Sequence, residues 1–84
     1  FTDQPYSVSM GFQTHANGQA AIAMGYRATA DADYAVDIGR AASANGFAGA
    51  IVLTDGSSSD SLEATAANQF NLRAAGGMRL YTNS

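Results

Sequence analysis

Few residues in this chain of 84 could perform acid–base or nucleophilic chemistry. Cysteine is absent and His15 is the only histidine, so a Ser-His-Asp or Cys-His arrangement has a single candidate base. No acidic residue lies near His15 in sequence at a distance that would orient it. Asp31 and Asp33 lie close together, but an acid–base pair needs a pocket that separates its two pKa values. We therefore expect no catalytic residues and no enzymatic activity.

The sequence also lacks the residue patterns that are typical of metal and cofactor sites. The chain has no Cys/His cluster of the kind that holds zinc. Asp55 and Asp60 bound a Gly/Ser-rich loop, but a calcium loop needs more oxygen ligands in a fixed order. The segment Gly25-Tyr26-Arg27 lacks the strand-to-helix context of a phosphate-binding loop. We predict no metal and no cofactor, while the affinity of the Asp55–Asp60 loop for ions stays open.

The composition excludes some partners and favours others. Only 13% of the residues are charged, lysine is absent and the net charge is -3, which argues against nucleic-acid binding. No apolar run approaches the roughly 18 residues of a membrane span, so we expect no membrane contact by this segment. A chain this small is usually stabilised by disulfides, metals or other subunits. With the first two excluded, we expect an oligomer.

The residues that could position any binding site belong to a repeat. A pattern of 14 residues occurs three times, opening with Ser7–Gly11, Ala21–Gly25 and Ala35–Gly39. Because the period is even, alternation of apolar and polar residues stays in phase through all copies, which predicts strands with one buried face. A helix is disfavoured by the recurring glycines, each costing about 1 kcal/mol in a helix interior.

The alternation leads to a prediction of which side chains are buried. We place the even positions of both halves of each copy inside, so that large residues such as Val8 and Met10 face alanines across a thin interior. Small odd-numbered residues of the first half would then face outward and permit close approach of another subunit. The predicted subunit contacts in this part are Ser7, Ser9, Ala21, Ala23 and Ala35.

One repeat position, directly after the first glycine of each copy, holds Phe12, Tyr26 and Arg40. Stacked copies would align these three side chains as a ladder along one edge of the coil. We consider two roles for the ladder: packing over the coil or a neighbouring chain, and a binding edge for a host protein, a matrix fibre or a glycan.

The rest of the chain departs from the repeat. Residues 49–54 form a fourth, incomplete copy whose register has slipped by one residue, which we interpret as a terminal capping turn. Residues 69–84 alternate around Ala75-Gly76-Gly77, which predicts a β-hairpin with Gly77 in the left-handed position and Arg73 opposite Arg79. The predicted domains are repeats in 1–54, a connecting loop in 55–68 and a hairpin neck in 69–84. Further predicted subunit contacts are Phe70, Leu72, Arg73, Met78, Arg79 and Leu80.

The three copies resemble the head repeat of YadA-like trimeric autotransporter adhesins, whose motif is approximately Ser-Val-Ala-Ile-Gly-x-x-Ala-x-Ala-x-Gly. The match runs from Ser7 to Gly46, with Ala32 standing where the motif has glycine. The resemblance implies a left-handed parallel β-roll, three chains around one axis, and a bacterial surface adhesin anchored to the outer membrane through another region. The tail, residues 68–82, is similar to a segment that precedes the endosialidase-type chaperone in phage tail fibres.

From these observations we predict an all-β chain: a parallel β-roll of 14-residue coils followed by a β-hairpin, in an intertwined homotrimer. The predicted function is that of a structural and adhesive module in an extracellular fibre that attaches to host cells or matrix. The alternative is a connecting or receptor-binding segment of a phage-type tail fibre in the virion tail. A chain beginning at Phe1 further indicates a piece of a longer protein.

Overall fold

The computed structural model describes residues 4–82, and these contain nine strands and no helix. The described residues consequently include no helix of the length and apolarity that a membrane span requires. Five strands form a larger sheet: β1 Val8–Phe12, β3 Ile22–Tyr26, β5 Val36–Arg40, β7 Ile51–Thr54 and β9 Phe70–Arg73. Four two-residue strands form a smaller sheet: β2 His15–Ala16, β4 Thr29–Ala30, β6 Ala42–Ser43 and β8 Leu62–Glu63.

The chain alternates between the two sheets, and all pairings are parallel, so successive repeats stack as coils of a β-solenoid. Val8 pairs with Ile22 and Ile22 with Val36, which reproduces the sequence period. Val36 then pairs with Ile51, which confirms the predicted slip by one residue. The fourth copy is not the end of the solenoid, however, because Ile51 pairs in turn with Phe70 of β9.

Glycine near the end of β1, β3 and β5 is required by the close stacking of the coils. Gly11 and Gly25 have φ of 118° and 120°, which favours glycine over any residue with a side chain. A Cβ at Gly11 would lie 2.0 Å from the carbonyl oxygen of Gly25 in the next coil. The chain then completes its corner with Gln13, Arg27 and Ala41, which all have left-handed backbone conformations. These glycines and the left-handed residues together form the first corner of each coil.

The interior between the sheets is filled almost entirely by alanine. Within residues 4–82, the largest fully buried side chains are those of Val52 and Asp37. The buried alanines of the cluster are Ala16, Ala21, Ala23, Ala28, Ala30, Ala35, Ala42, Ala44, Ala50 and Ala64. Two sheets so close together leave no room for a large side chain from either side.

The prediction that even positions face inward is right for the short strands and wrong for the long ones. On the long strands Met10 and Ile38 are exposed, while Ala23 is fully buried. The reason is the corner, where a glycine of unusual φ and a left-handed residue shift the phase of the alternation between the two strands of a coil. Consequently the large aliphatic residues of the first half lie outside the coil.

Three of the small residues predicted to contact other subunits lie inside the coil for the same reason. Ala21, Ala23 and Ala35 have no exposed surface in the single chain, so they pack in its own interior. The Ser9 hydroxyl points inward too, since it donates to the Thr14 carbonyl at 3.0 Å. The Ser7 hydroxyl donates to the Gln4 carbonyl at 2.7 Å, and the subunit contact of Ser7 stays a prediction.

The C-terminal region also differs from its prediction. Gly77 has φ of 94° and donates to the Ala74 carbonyl, so the turn forms with Gly77 in the predicted conformation. The hairpin is not confirmed, because β9 pairs in parallel with β7 and the described residues after the turn form no strand. Arg73 instead donates to the Asp60 carbonyl. The region predicted as a connector, 55–68, contributes β8 to the smaller sheet.

Candidate functional site

The outward side of the larger sheet is an apolar surface, which we call the apolar face. Along each long strand, alternation places one residue in the interior and the next on this face. Met10 is 58% exposed and Phe70 is 62% exposed. The residues of the apolar face are Val8, Met10, Ile22, Met24, Val36, Ile38, Ile51, Leu53, Phe70 and Leu72. A contiguous exposed surface of this kind on a small domain marks an interaction site.

The predicted ladder forms at the end of the apolar face. Phe12 pairs with Tyr26 and Tyr26 with Arg40 in the sheet register. The Phe12 and Tyr26 rings are stacked, with centroids 5.2 Å apart and planes 11° apart. The Arg40 guanidinium carbon lies 6.0 Å from the Tyr26 centroid, and Arg40 also donates to the Gly56 carbonyl at 3.0 Å. The predicted alignment is therefore correct, while its role in binding remains a prediction.

An open groove of about 400 Å³ lies beyond the ladder, where each coil turns from its long strand to its short strand. We call it the corner groove. Its lining comes from the first corner of three coils, from the short strands and from the loop before β8. The lining residues are Gln13, His15, Arg27, Thr29, Ala41 and Ser61. Sequence reasoning missed this groove and treated His15 as an isolated residue. The available signal was the repeat itself, which places His15 beside Thr29 in the small sheet.

Asp37 is the exception within the alanine interior. Its side chain is fully buried, and neither carboxylate oxygen has a hydrogen-bond partner. It occupies the position that Ala23 holds in the previous coil and Val52 in the next. Burial raises the pKa of Asp37 from 3.8 to about 7; the nearby backbone N–H of Ala44 opposes the rise, and the negative charge of Asp31 adds to it. Asp37 is not among the residues that line the corner groove.

The Asp55–Asp60 loop is organised by its own hydrogen bonds. Asp55 accepts bonds from the hydroxyl and the backbone N–H of Ser57, at 2.6 Å and 3.1 Å, and from the N–H of Ala75 at 2.7 Å. The Ser57 hydroxyl is the main reason that the pKa of Asp55 is lowered. Within residues 4–82, no three His, Asp or Glu side chains are grouped as a metal site.

Comparison with known families identifies the repeat. The model of the YadA head domain repeat matches in two copies, over residues 4–26 and 16–36. Comparisons with the curated proteins and with the solved structures give no significant match. The similarity of the tail to a phage fibre segment is not confirmed by these matches. The matched repeats lie in the first coils of the parallel β-solenoid, so residues 4–36 are similar to YadA head repeats and have a β-roll architecture.

Proposed function

We propose that this chain is a structural and adhesive module of a trimeric fibre on the bacterial surface, where it attaches to host cells or matrix. The observation that carries the proposal is the apolar face. The small residues of the chain fill its own interior, and its large aliphatic residues lie on the outside of the coil. Covering that surface yields roughly 25 cal/mol for each Å² removed from water, so association is strongly favoured.

A homotrimer is the assembly that best fits this surface together with the family of the repeat. In a closed symmetric oligomer each copy presents the same patch, and three copies around one axis cover all three faces. The exposed Phe70 and Leu72 extend the apolar face to its last strand, and Met78 and Leu80 beyond the turn are exposed as well. We propose that these four side chains contact neighbouring chains.

Attachment would then depend on surfaces that stay outside the trimer. The stacked Phe12–Tyr26 pair with Arg40 beside it offers an aromatic and cationic edge for a host protein, a matrix fibre or a glycan. Three copies of the edge on one fibre would act by avidity, so each single contact can be weak.

The test of assembly is a pair of substitutions to the same residue. Met24→Asp places a charge in the middle of the apolar face, and Ala66→Asp places one on an exposed loop outside it. Sedimentation velocity should show dissociation for Met24→Asp and no change for Ala66→Asp. If Met24→Asp leaves the oligomer intact, the apolar face is not the subunit contact.

The test of attachment removes side chains of the ladder, and the control is that each variant still assembles as the wild-type chain does. Phe12→Ala and Tyr26→Ala should reduce binding of the trimer to host cells or matrix proteins. A trimer of the wild-type chain that binds neither would favour the connecting role in a fibre over the adhesive one.

A further inference from the structure

We propose that the corner groove binds an acidic sugar, that is, a saccharide unit carrying a carboxylate. The inference deepens the proposed function and rests on it, since it assigns a ligand class to a fibre that attaches to host surfaces. Its observations are independent of the apolar face. A volume of about 400 Å³ lies in the range of small-molecule sites and is adequate for one saccharide unit.

The lining of the corner groove is rich in hydrogen-bond donors and contains no carboxylate. Arg27 supplies a planar guanidinium that can hold a carboxylate through two parallel bonds. Gln13, Thr29 and Ser61 add amide and hydroxyl groups that suit the hydroxyls of a sugar. His15 contributes an imidazole on the same wall as Thr29, its partner in the small sheet. A donor-rich groove of this kind fits an anionic polyhydroxyl ligand.

Arg27 is held where it lines the groove. Its guanidinium carbon lies 5.9 Å from the centroid of the Tyr26 ring, which is itself stacked on Phe12. Its backbone N–H donates to the Phe12 carbonyl at 2.8 Å, which fixes the corner. A cation positioned over an aromatic ring loses less freedom when it binds an anion, because part of its ordering has already occurred.

The opening itself follows from the repeat. Gln13, Arg27 and Ala41 occupy equivalent corner positions in three successive coils. The long side chains of the first two are replaced by a methyl group in the third, so space opens between Arg27 and Ser61. Ala41 is therefore the floor of the groove, and a longer residue at this position would fill it.

Negative charge in this acidic chain lies mainly elsewhere. Asp31 and Asp33 are at the opposite corner, where each accepts a backbone N–H bond at 2.9 Å. Glu63 continues the column of His15, Thr29 and Ser43 on the small sheet. It lies two strands beyond Thr29, or about 10 Å at the usual strand spacing. None of the residues that line the corner groove is acidic.

The experiment compares glucuronate with glucose, which differ in a carboxylate and a hydroxymethyl group. Titration of the labelled full chain, monitored through its amide NMR signals, should give saturable shifts at residues 13–15, 27–29, 41 and 61 with glucuronate at millimolar concentrations. Glucose should give shifts at least about tenfold weaker at equal concentration, since it lacks the charge-assisted bonds. Equal responses to both sugars, or shifts centred elsewhere, would overturn the proposal.

Two variants and one control locate the site. Arg27→Gln removes the charge, and Ala41→Gln fills the groove with the residue that the first coil already carries at this position. Each should weaken glucuronate binding roughly tenfold or more with the amide spectrum otherwise native, whereas Arg79→Gln in the tail should not. Unchanged binding in both variants, or acetate shifting the same signals as strongly as glucuronate, contradicts an acidic-sugar site. Sedimentation of the same samples separates the acidic-sugar site from the trimeric assembly. A trimer that does not bind glucuronate refutes only the acidic-sugar site, and a monomer refutes the assembly.

Discussion

The two sides of the larger sheet are made of the same strands, yet they differ in side-chain size and in what covers them. The inner side carries alanine almost throughout and is sealed by the smaller sheet. The outer side carries valine, isoleucine, leucine, methionine and phenylalanine and is open in the single chain. The difference shows that this chain fills its own coil with its smallest residues and leaves its largest apolar side chains on the outer side.

The largest loss of stability is expected where the coils approach most closely. In Gly25→Ala the new Cβ would lie 2.4 Å from the Gly39 carbonyl oxygen, on a residue with φ of 120°. Strain and steric overlap together should cost on the order of 4 kcal/mol. Thermal or urea unfolding measures this loss in the free energy of unfolding. Gly46→Ala is the matched control, because its Cβ meets nothing within 4 Å although its φ of 79° is also positive; equal losses would show that stacking is not the cause.

The next effect concerns the charged exception on the inner side. Because the folded pKa of Asp37 is raised from 3.8 to about 7, the folded chain holds this proton more tightly than the unfolded chain does. The contribution of Asp37 to the free energy of unfolding is therefore most favourable below pH 4. It falls as the pH rises from 4 to 7 and is constant above pH 7. The shift corresponds to about 4 kcal/mol at most.

Asp37→Val introduces the residue that stands at the same position in the next coil, as Val52. It should stabilise the fold above pH 7 and remove the decline between pH 4 and pH 7, as measured by unfolding at several pH values. Asp55→Asn is the control with the opposite sign, because a lowered pKa stabilises the fold above it and the effect is lost as pH falls. A decline that persists in Asp37→Val would place its origin in another group.

A smaller effect is expected from enlarging a residue on the inner side. Ala30→Leu should destabilise the coil by about 3 kcal/mol, since the narrow interior cannot accept the added volume. Ile22→Leu on the outer side is the matched comparison and should cost less than about 1.5 kcal/mol. Similar losses for the two substitutions would contradict the assignment of inner and outer sides.

The smallest effect is expected at the ladder. Tyr26→Ala removes the stacking partner of Phe12 and the ring beside Arg40 and Arg27, which should cost about 1 kcal/mol beyond the lost burial. Unfolding of Tyr26→Ala beside Phe12→Ala and the double variant isolates the coupling of the two rings. An additive double variant would show that the rings are neighbours without a stabilising contact.

Sequence reasoning captured the features that depend on period and on backbone geometry. The stacking of Val8, Ile22 and Val36, the corner at Gly25 and the ladder through Tyr26 follow directly from the even repeat. The slip before Ile51 was visible for the same reason. Each depends only on which residues recur at equal spacing, and a single sequence is sufficient for that.

The orientation of the long strands could not be obtained in this way. An even period keeps the alternation in phase, but it does not determine which face of the strand is buried. The prediction places the large residues inside, as in the core of a single-chain domain. The corner at Gly11 and Gln13 shifts the phase between the two strands, an effect of φ angles that the residue types do not reveal. The corner groove was also missed, because it arises from the loop residue Ser61 lying beside Arg27 and Ala41.

Sedimentation equilibrium of the unmodified chain tests the central claim most directly, because we propose that other copies of the chain cover its apolar face. Across micromolar concentrations we predict a single species with three times the mass of the chain. A stable, soluble monomer over the same range would contradict the assignment of the apolar face to subunit contact and, with it, the proposed trimeric fibre.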